Sequence, residues 1–374
     1  MTDSIRVLIV DDSAFMRRAI ARMLTADPEI EIVGSVGDGA QGLEAIRTLQ
    51  PDVVTMDIEM PVMDGLTALK KIMDETPLPV IMMSTLTQNG ATATLTALSL
   101  GAFDFVPKPE SSMIDVLGVE RELREKVRAA AHSRRSKRRL TGLHGTASVH
   151  AATLGHQAPA PAAAKPQAPV APTPSVRPAG SRVPEVIGIG ISTGGPPALQ
   201  SLFSALPGDF PVGIVVVQHM PPGFTKPLAE RLNRICPMTI REAMDGEVVE
   251  PKKALIAPAG THLVLKREGS HLVCRTMDAS TTKTWHKPSV DVLFASIAQV
   301  VGPKALAVIM TGMGNDGTAG ATAIKGRGGE IWSQDEATSV VYGMPRTVFE
   351  AGVVDRVLPL GSIPTALTTL VGSS

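Results

Sequence analysis

A serine in a glycine-rich turn is the first residue of this sequence whose surroundings suit catalysis. The run Gly-Ile-Ser-Thr-Gly at 190–194 has the spacing Gly-x-Ser-x-Gly and lies between a predicted buried strand, Val186–Ile191, and a predicted helix near Ala198–Ala205. A sharp strand-to-helix turn exposes the hydroxyl of Ser192 beside the N–H groups of the helix start, which can stabilise an oxyanion. A dinucleotide-binding loop is disfavoured, because Thr193 stands where the third glycine of that fingerprint belongs and no acidic residue follows at about 20 residues. A purely structural glycine turn is the alternative for this motif alone.

A histidine and an aspartate lie where they could complete a hydrolytic site. His219 follows a predicted strand at Val212–Val217, and Asp316 follows a predicted strand at Ala305–Met310. Taken alone, the histidine is typical of a structural residue, and the Asn-Asp-Gly run around Asp316 is typical of a turn. Together with Ser192 they would supply a nucleophile, a base and a carboxylate that orients the base. Their chain order, Ser…His…Asp, differs from the Ser…Asp…His order of α/β-hydrolases, so the arrangement would be an independent one.

Three aspartates in the first part of the chain predict a cation site. Asp11 and Asp12 directly follow one predicted strand, and Asp57 follows another. At the carboxyl ends of neighbouring parallel strands these carboxylates would meet and repel one another, and a divalent cation such as Mg²⁺ is the natural counter-charge. Ser84 ends the fourth predicted strand and Lys108 follows the fifth. They add a hydroxyl and a cation, both suited to contact phosphoryl oxygens. The alternative for Asp11 and Asp12 is that they cap the helix that follows.

The elements that would position these residues are predicted from the alternation of apolar runs and helical patterns. Five strand–helix repeats in the first part of the chain predict a doubly wound, flavodoxin-like parallel sheet with helices on both faces. The predicted strands are Arg6–Val10, Ile30–Val36, Asp52–Met56, Pro79–Met83 and Phe103–Val106, and the predicted helices are Ser13–Ala26, Ala40–Leu49, Leu66–Glu75, Asn89–Leu100 and Ser112–Ala131.

The second part of the chain is also predicted to be α/β. Besides the three strands before the candidate catalytic residues, a fourth buried strand is predicted at Glu330–Ser333. Between residues 239 and 276 the pattern changes to short alternating runs separated by glycine turns, which favours hairpins inserted at one edge of a mostly parallel sheet. These runs are Leu255–Ala257, Thr261–Lys266 and His271–Thr276.

Charge and composition divide the chain into two domains and a linker. The net charge is zero over 374 residues, but residues 1–125 carry −10, residues 126–184 carry +10 and residues 185–374 carry 0. Residues 141–182 are rich in alanine and proline, hold no aromatic residue, and cannot bury enough apolar area to fold. We therefore predict a first domain at 1–132, a basic and then Ala/Pro-rich linker at 133–183, and a second domain at 184–374.

Composition excludes several classes of protein. A hydrophobic fraction of 44% and a charged fraction of 19% exclude a wholly disordered chain. The two cysteines, Cys236 and Cys274, allow neither a disulfide framework nor a four-thiolate zinc site. Since the apolar runs are far shorter than the ~20 residues needed to cross a bilayer and the first residues lack a signal-peptide pattern, we expect a cytoplasmic protein without membrane insertion.

The motifs of the first domain resemble those of the receiver domain of two-component response regulators. They are Val-Asp-Asp-Ser at 10–13, Met-Asp-Ile-Glu-Met-Pro-Val-Met-Asp-Gly at 56–65, Met-Ser-Thr at 83–85 and Phe-Val-Pro-Lys-Pro at 105–109. The resemblance implies that Asp57 accepts a phosphoryl group from a histidine kinase, and that the fourth helix, fifth strand and fifth helix carry the signal. It also implies that Asp11, Asp12, Asp57 and the Glu59 backbone hold Mg²⁺, that Ser84 and Lys108 contact the phosphoryl group, and that Phe105 is the aromatic switch.

The motifs of the second domain resemble those of the CheB family of chemotaxis protein-glutamate methylesterases. They are Gly-Ile-Ser-Thr-Gly-Gly at 190–195, Gln-His-Met-Pro-Pro-Gly-Phe-Thr at 218–225, His-Lys-Pro-Ser-Val-Asp-Val-Leu-Phe at 286–294, Met-Thr-Gly-Met-Gly-Asn-Asp-Gly at 310–317 and Tyr-Gly-Met-Pro-Arg at 342–346. The match covers both domains in the family's order. Ile191 departs from the alanine common in the family, and we expect its side chain to point into the core. The resemblance implies that Ser192, His219 and Asp316 form a catalytic triad and that Thr193, His286 and the Met313 backbone line the site.

The resemblance implies a hydrolase regulated by phosphorylation. It would demethylate glutamate methyl esters and deamidate glutamines on methyl-accepting chemotaxis receptors, with the histidine kinase CheA as phosphodonor, Mg²⁺ needed for phosphorylation and no cofactor needed for ester hydrolysis. The basic run at 134–139 leaves a DNA-binding regulator as an alternative. The second domain is neutral and shows no helix-turn-helix pattern, so we expect no nucleic-acid partner. A receiver-bearing scaffold with an inactive hydrolase fold is the third possibility.

Overall fold

The computed structural model describes residues 4–108, 113–142 and 183–372. Its first domain holds the strands β1 (Ile5–Val10), β2 (Ile30–Val36), β3 (Val53–Asp57), β4 (Val80–Ser84) and β5 (Asp104–Pro107). They form one parallel sheet in the order β2-β1-β3-β4-β5. The predicted doubly wound fold is therefore confirmed. The strand order reverses between β1 and β3, so the carboxyl ends of these two strands flank the usual ligand position of such sheets.

Five helices cover this sheet: α1 (Ala14–Thr25), α2 (Gly39–Leu49), α3 (Gly65–Glu75), α4 (Gln88–Ser99) and α5 (Met113–Gly142). Each of the first four starts after a Ser, Asp or Thr side chain that accepts the N–H of the third helical residue, as N-cap residues do. The helix α5 continues past its predicted end at Ala131 and through the basic run at 134–139. The predicted domain boundary after residue 132 thus falls inside a helix, and residues 143–182 of the predicted linker lie outside the described residues.

The second domain is built on a seven-stranded sheet. Seven of this domain's strands form that sheet and two, β10 and β11, lie outside it: the strands are β6 (Val186–Ile191), β7 (Gly213–Gln218), β8 (Thr239–Glu242), β9 (Lys253–Ile256), β10 (Thr261–Glu268), β11 (His271–Asp278), β12 (Ala305–Ile309), β13 (Glu330–Gln334) and β14 (Arg356–Leu358). The large sheet has the order β14-β13-β12-β6-β7-β9-β8, and all of its neighbouring strands are parallel. The helices are α6 (Gly195–Ala205), α7 (Thr225–Ile235), α8 (Val290–Val301), α9 (Thr318–Gly326), α10 (Met344–Glu350) and α11 (Ile363–Gly372).

The region 239–276 is an insertion of a different kind from the predicted edge hairpins. The run Leu255–Ala257 belongs mainly to β9, an inner strand between β7 and β8, and both faces of β9 are covered. A strand buried on both faces shows no alternation of polar and apolar residues. The sequence pattern therefore could not predict that β9 lies inside the parallel sheet. The strands β10 and β11 pair antiparallel as predicted, but they form a separate two-stranded sheet. No helix in the described ranges is long and apolar enough to cross a membrane.

The two domains share a buried interface made by α4 and β5 of the first domain and by α6 and α7 of the second. A single cluster of buried apolar side chains extends across it. The rings of Phe105, on β5, and Phe224, just before α7, stack with centroids 4.8 Å apart and planes inclined by 15°. Further along α5, the Arg121 guanidinium lies 4.8 Å above the Trp285 ring of the second domain. The apolar side chains at the contact of α4 with the other domain include Leu95, Leu98, Pro196, Pro197, Leu228 and Leu232, and the polar residues Ser99, Gln200 and Arg231 lie beside them.

Candidate active site and acidic pocket

The three predicted catalytic residues lie after three adjacent strands of the second sheet. Ser192 directly follows β6, His219 directly follows β7, and Asp316 lies in the loop after β12. β6 stands between β12 and β7, and the chain order reverses there. The His219 N–H donates to the carbonyl of Ile191 at 3.1 Å, so the serine and histidine lie side by side. The carboxyl ends of these strands therefore form one rim, as predicted from the sequence.

Close backbone packing fixes the serine turn. Ser192 donates its N–H to the Thr311 carbonyl at 3.0 Å. A Cβ on Gly312 would lie 2.8 Å from the Ser192 Cβ, so a larger residue would displace the nucleophile. Gly194 caps α6 with a φ of 76°, a left-handed conformation that glycine adopts without strain. Ile191 is fully buried, as expected for a side chain that points into the core.

The start of α6 does not supply the predicted oxyanion donors. The N–H of Gly195 donates to the carbonyl of Ser192 at 2.8 Å, and the next two residues, Pro196 and Pro197, have no N–H. The expectation that the helix-start N–H groups face an oxyanion is therefore wrong for this first turn. The remaining backbone donors on the serine side belong to the turn itself, beginning with Thr193, the residue after the nucleophile.

The imidazole of His219 is hydrogen-bonded on one side only. Its Nε2 lies 2.8 Å from Asp316 Oδ2. Its Nδ1 is buried and has no hydrogen-bond partner among the described residues. When Asp316 accepts from an Nε2–H, the tautomer is set and the Nδ1 lone pair can accept a proton. This side chain thus has the form of an oriented general base, with Nδ1 as the basic atom.

Asp316 is held by an unusually complete set of donors. Its Oδ1 accepts from the Ser289 hydroxyl at 2.8 Å and from the Asp291 N–H at 3.0 Å, and its Oδ2 accepts from the Val290 N–H at 2.7 Å as well as from His219. Burial by itself would raise the pKa of Asp316. The His219 hydrogen bond and charge, with the backbone N–H groups, outweigh burial and hold the pKa well below its usual range. Because two of these donors are the first N–H groups of α8, the carboxylate lies at the positive end of that helix, which favours its negative charge.

The predicted lining residues surround this pair at different depths. The ring of His286 stacks on that of His219, with centroids 3.9 Å apart and planes inclined by 11°. Part of His286 is exposed, yet desolvation of the rest, followed by the charge of His219, lowers its pKa. Thr193 is buried and its carbonyl accepts from the Thr311 hydroxyl at 3.0 Å. Met313 is half-buried in the loop after β12. His286 therefore contacts His219, and the lining roles of Thr193 and Met313 stay predictions.

Gln218 is a site residue that the sequence analysis did not select. Its Nε2 donates to the carbonyl of Ser192 at 2.9 Å and to that of His219 at 3.0 Å. Its Oε1 fills the place of a side chain at Gly195, where a Cβ would lie 1.8 Å away. One amide thus ties the serine turn to the histidine turn. The signal in the sequence is a polar residue at the end of an otherwise apolar strand.

The predicted acidic pocket forms at the carboxyl ends of β1 and β3. Carboxylate oxygens of Asp11, Asp12 and Asp57 all lie within 4.8 Å of one another. The Lys108 ammonium lies 2.6 Å from Asp57 Oδ2 and 3.1 Å from Asp11 Oδ2. Burial raises the pKa of Asp57, the Lys108 hydrogen bond and charge lower it, and the charge of Asp11 raises it again, with a net increase. The pocket thus concentrates negative charge that one lysine does not fully neutralise.

A divalent cation fits this pocket. The buried Asp11 Oδ2 receives no well-directed hydrogen bond, although the Lys108 ammonium is near, and Asp12 is exposed at the mouth. Three carboxylate oxygens that converge from two strands are the donor set that hard cations prefer. Glu59 is exposed two residues after Asp57, and its backbone as a ligand stays a prediction.

Ser84 and Phe105 connect the pocket to the rest of the molecule. The buried Ser84 hydroxyl accepts from Thr94 Oγ1 of α4 at 2.7 Å. Phe105 is 4% exposed and stacks on Phe224 of the second domain. Neither Thr94 nor Phe224 was selected from the sequence. Of the predicted switch residues, Ser84 and Phe105 therefore each contact an element of the domain interface, whereas Lys108 pairs with the carboxylates of the pocket.

Each of the two domains matches a known protein family. A family model described as CheB methylesterase matches residues 187–367, and one described as response regulator receiver domain matches residues 7–116. The chain is 44% identical over 385 residues to a protein-glutamate methylesterase/protein-glutamine glutaminase of Oleidesulfovibrio alaskensis, an alignment that covers 98% of this chain and 99% of that protein. This chain belongs to the CheB family.

A second relative matches nearly the whole chain, and a solved catalytic domain matches half of it. A protein-glutamate methylesterase/protein-glutamine glutaminase of Nitratidesulfovibrio vulgaris is 46% identical over 390 residues, which cover 97% of this chain and 98% of that one. Among solved structures, the catalytic domain of the Thermotoga maritima CheB methylesterase is 44% identical, covers 50% of this chain and 100% of that chain, and has a TM-score of 0.49. Membership of the CheB family confirms the two resemblances and disfavours a DNA-binding regulator.

Proposed function

We propose that this CheB-family chain is a serine hydrolase that demethylates glutamate methyl esters and deamidates glutamines on methyl-accepting chemotaxis receptors. Its relatives carry these two activities in their names. The observation that carries the proposal is the 2.8 Å hydrogen bond between His219 Nε2 and Asp316, on the rim that holds Ser192. Because the substrate would lie on the cytoplasmic helices of the receptors, we place the protein in the cytoplasm.

The proposed reaction starts at the Ser192 hydroxyl, which attacks the ester carbonyl carbon while His219 Nδ1 takes its proton. Asp316 keeps the ring in place and stabilises the imidazolium. The proton then passes from His219 to the methoxy oxygen, methanol leaves, and an acyl-enzyme remains. Water, deprotonated by the same nitrogen, hydrolyses it and frees Ser192. A glutamine side chain would follow the same path and release ammonia.

The N–H of Thr193 and the backbone of Met313 are the oxyanion donors we propose. The first turn of α6 offers none, because the N–H of Gly195 already donates to Ser192, that of Ala198 donates to Gly194, and the two prolines between them have no N–H. Removing one such donor typically costs about 10²–10³ in rate in serine hydrolases. No cofactor is needed for these steps, since every proton moves between the named side chains and water.

The experiment that tests this function uses receptor-containing membranes with radiolabelled methyl esters. The purified chain is expected to release labelled methanol, and mass spectrometry of receptor peptides should show glutamine converted to glutamate. Both products should disappear with His219→Ala. Release of methanol from the ester at the same rate by His219→Ala would contradict the proposed base.

We further propose that the cation of the acidic pocket is Mg²⁺ and that Asp57 accepts a phosphoryl group from CheA. Asp11, Asp12 and the Glu59 backbone would complete the metal's ligands, while Lys108 and Ser84 would contact the phosphoryl oxygens. The metal would supply the counter-charge for the phosphoryl group. The convergence of three carboxylates, whose oxygens lie within 4.8 Å of one another, supports this assignment.

Asp11→Asn is expected to weaken Mg²⁺ binding by at least about tenfold, because one of three anionic ligands is lost. Isothermal titration calorimetry of the full chain measures the affinity directly. The matched control is Asp52→Asn, which changes an aspartate just before β3, at the opposite end of the sheet. Equal affinities for wild type and Asp11→Asn would contradict the site.

The domain interface supports regulation by docking of the receiver. We propose that the receiver covers the rim and that phosphorylation weakens this contact. Ser84 is tied to α4, and Phe105 lies in the contact with the segment that carries His219. A change at Asp57 that moves Ser84 or Phe105 would therefore alter the surface that α4 and β5 present to the second domain.

Phe105→Ala is expected to raise the basal hydrolysis rate several-fold and to reduce the further gain from phosphorylation. An aromatic pair contributes about 0.5–1.5 kcal/mol beyond its area, which corresponds to about a 2- to 10-fold change in the docking equilibrium. The assay is methanol release with and without a phosphodonor. The control is Phe103→Ala, a phenylalanine that packs on the receiver's own core. An unchanged basal rate in Phe105→Ala would contradict the docking proposal.

A further inference from the structure

The N-termini of α8 and α9 meet with their backbones in contact beside Asp316. A Cβ on Gly320 would lie 2.5 Å from the Cβ of Phe294 and 3.0 Å from the carbonyl oxygen of Asp291. A Cβ on Gly317 would lie 2.9 Å from Cγ1 of Val290, the first residue of α8. Two helix starts at this distance leave no room for side chains between them, so any shift of one backbone moves the other.

Each of these helix starts receives the carboxylate of the other segment. Asp316, two residues before α9, accepts from the N–H groups of Val290 and Asp291 at the start of α8. In return, Oδ1 of Asp291 accepts from the N–H of Gly317 at 2.9 Å and of Gly320 at 2.7 Å. Gly317 is the N-cap of α9 and has no side chain to cap it, so Asp291 supplies the missing acceptor.

We propose that Asp291 is a positioning residue for the catalytic carboxylate. Its side chain fixes the turn directly after Asp316, and its own N–H holds Asp316 Oδ1. The carboxylate of Asp316 and the backbone directly after it are thus both tied to one residue that makes no hydrogen bond to His219. The inference rests on the proposed triad. Because a misplacement of about 1 Å in a catalytic group can cost about 10²-fold in rate, the predicted effect is on turnover.

Burial and the nearby charge of Asp316 both disfavour the ionised form of Asp291, and backbone N–H groups favour it. Asp291 is partly buried, and burial raises its pKa, as does the neighbouring charge of Asp316, while the Gly320 and Gly317 N–H groups lower it. Two carboxylates this close repel each other, and the positive ends of two helices compensate for the repulsion. Loss of the Asp291 acceptor would leave two N–H groups of α9 without their partner.

The test compares Asp291→Ala with Asp291→Asn in the full chain. Alanine removes the acceptor, whereas asparagine keeps an oxygen that can accept from Gly317 and Gly320. We expect kcat for methanol release to fall about 10- to 100-fold in Asp291→Ala with KM within twofold, and to recover to within about threefold of wild type in Asp291→Asn. The low-field NMR signal of the His219 proton shared with Asp316 should shift in Asp291→Ala only.

Two controls separate positioning from general stability and from failure of the triad itself. Asp355→Ala removes a carboxylate that accepts from the Ile331 N–H far from the rim, and should leave kcat and the His219 signal unchanged. If Asp291→Ala does not fold, Asp291→Glu replaces it, with an intermediate loss of kcat expected. The proposal would be overturned if Asp291→Ala kept the wild-type kcat or an unshifted His219 signal. It would also be overturned if Asp355→Ala lost as much kcat as Asp291→Ala. Full activity of Ser192→Ala would instead overturn the triad on which it rests.

Discussion

Ser192→Ala is expected to release methanol from methylated receptors at least about 10³-fold more slowly than the wild type. The reason is that the substitution removes only the attacking oxygen. The turn itself is held by backbone groups: the Ser192 N–H donates to Thr311, and its carbonyl accepts from Gln218. Both interactions survive in alanine, so the melting temperature should change by no more than about 2 °C. A coupled enzymatic assay for methanol measures the rate.

Ser204→Ala is the matched control for this experiment. Ser204 is an exposed serine on α6, the helix that follows the nucleophile, and it lies away from the rim. Its substitution should leave the rate unchanged. Residual activity of Ser192→Ala within tenfold of the wild type would contradict the nucleophile assignment. It would also reassign the chemistry to direct attack by water.

Asp316→Asn is expected to lower the same rate about 10³- to 10⁴-fold, and the structure explains why an amide cannot replace this carboxylate. Each oxygen of Asp316 accepts from two donors, Ser289 and Asp291 on Oδ1, His219 and Val290 on Oδ2. In either orientation the amide nitrogen would point its hydrogens at two other donors. The asparagine would therefore turn away, or would force His219 into the other tautomer.

The low pKa of Asp316 gives this variant a pH signature. A folded-state pKa below the unfolded value means that the charge stabilises the fold above about pH 4, and that this contribution is lost as the pH falls through the folded pKa. Wild type should therefore be more stable than Asp316→Asn at pH 7, with a smaller difference near pH 3. Urea unfolding at both pH values measures this. Asp355→Asn is the control, and a rate within tenfold of wild type in Asp316→Asn would contradict the role of the carboxylate.

The rim was predictable because its residues follow strands that the apolar runs identify. Val186–Ile191 and Ala305–Met310 are uninterrupted apolar runs, and parallel strands end at a common edge. The same logic placed Asp11 and Asp57 in one pocket. The strand pattern could not predict which side-chain atoms contact one another. That Nδ1 of His219 is the unpartnered nitrogen follows only from the three-dimensional positions of β7 and α8.

The residues that sequence reasoning missed act through contacts between distant segments. Val290 and Asp291 hold Asp316 from the start of a helix about 25 residues earlier, and only the packing at Gly317 and Gly320 brings them there. Phe224 contacts Phe105 across a domain interface, for which a single sequence has no periodic signal. The prediction that the start of α6 supplies oxyanion donors was wrong for a reason visible in the sequence: Pro196 has no N–H.

We propose that phosphorylation of Asp57 controls a serine hydrolase in the other domain. The most direct test of this proposal is methanol release from methylated receptor membranes, measured with and without a small-molecule phosphodonor and Mg²⁺, for the wild type and Asp57→Asn. The phosphodonor is expected to accelerate methanol release by the wild type, whereas Asp57→Asn should keep its basal rate and show no acceleration. Equal stimulation of both proteins, or no methanol from either, would contradict it.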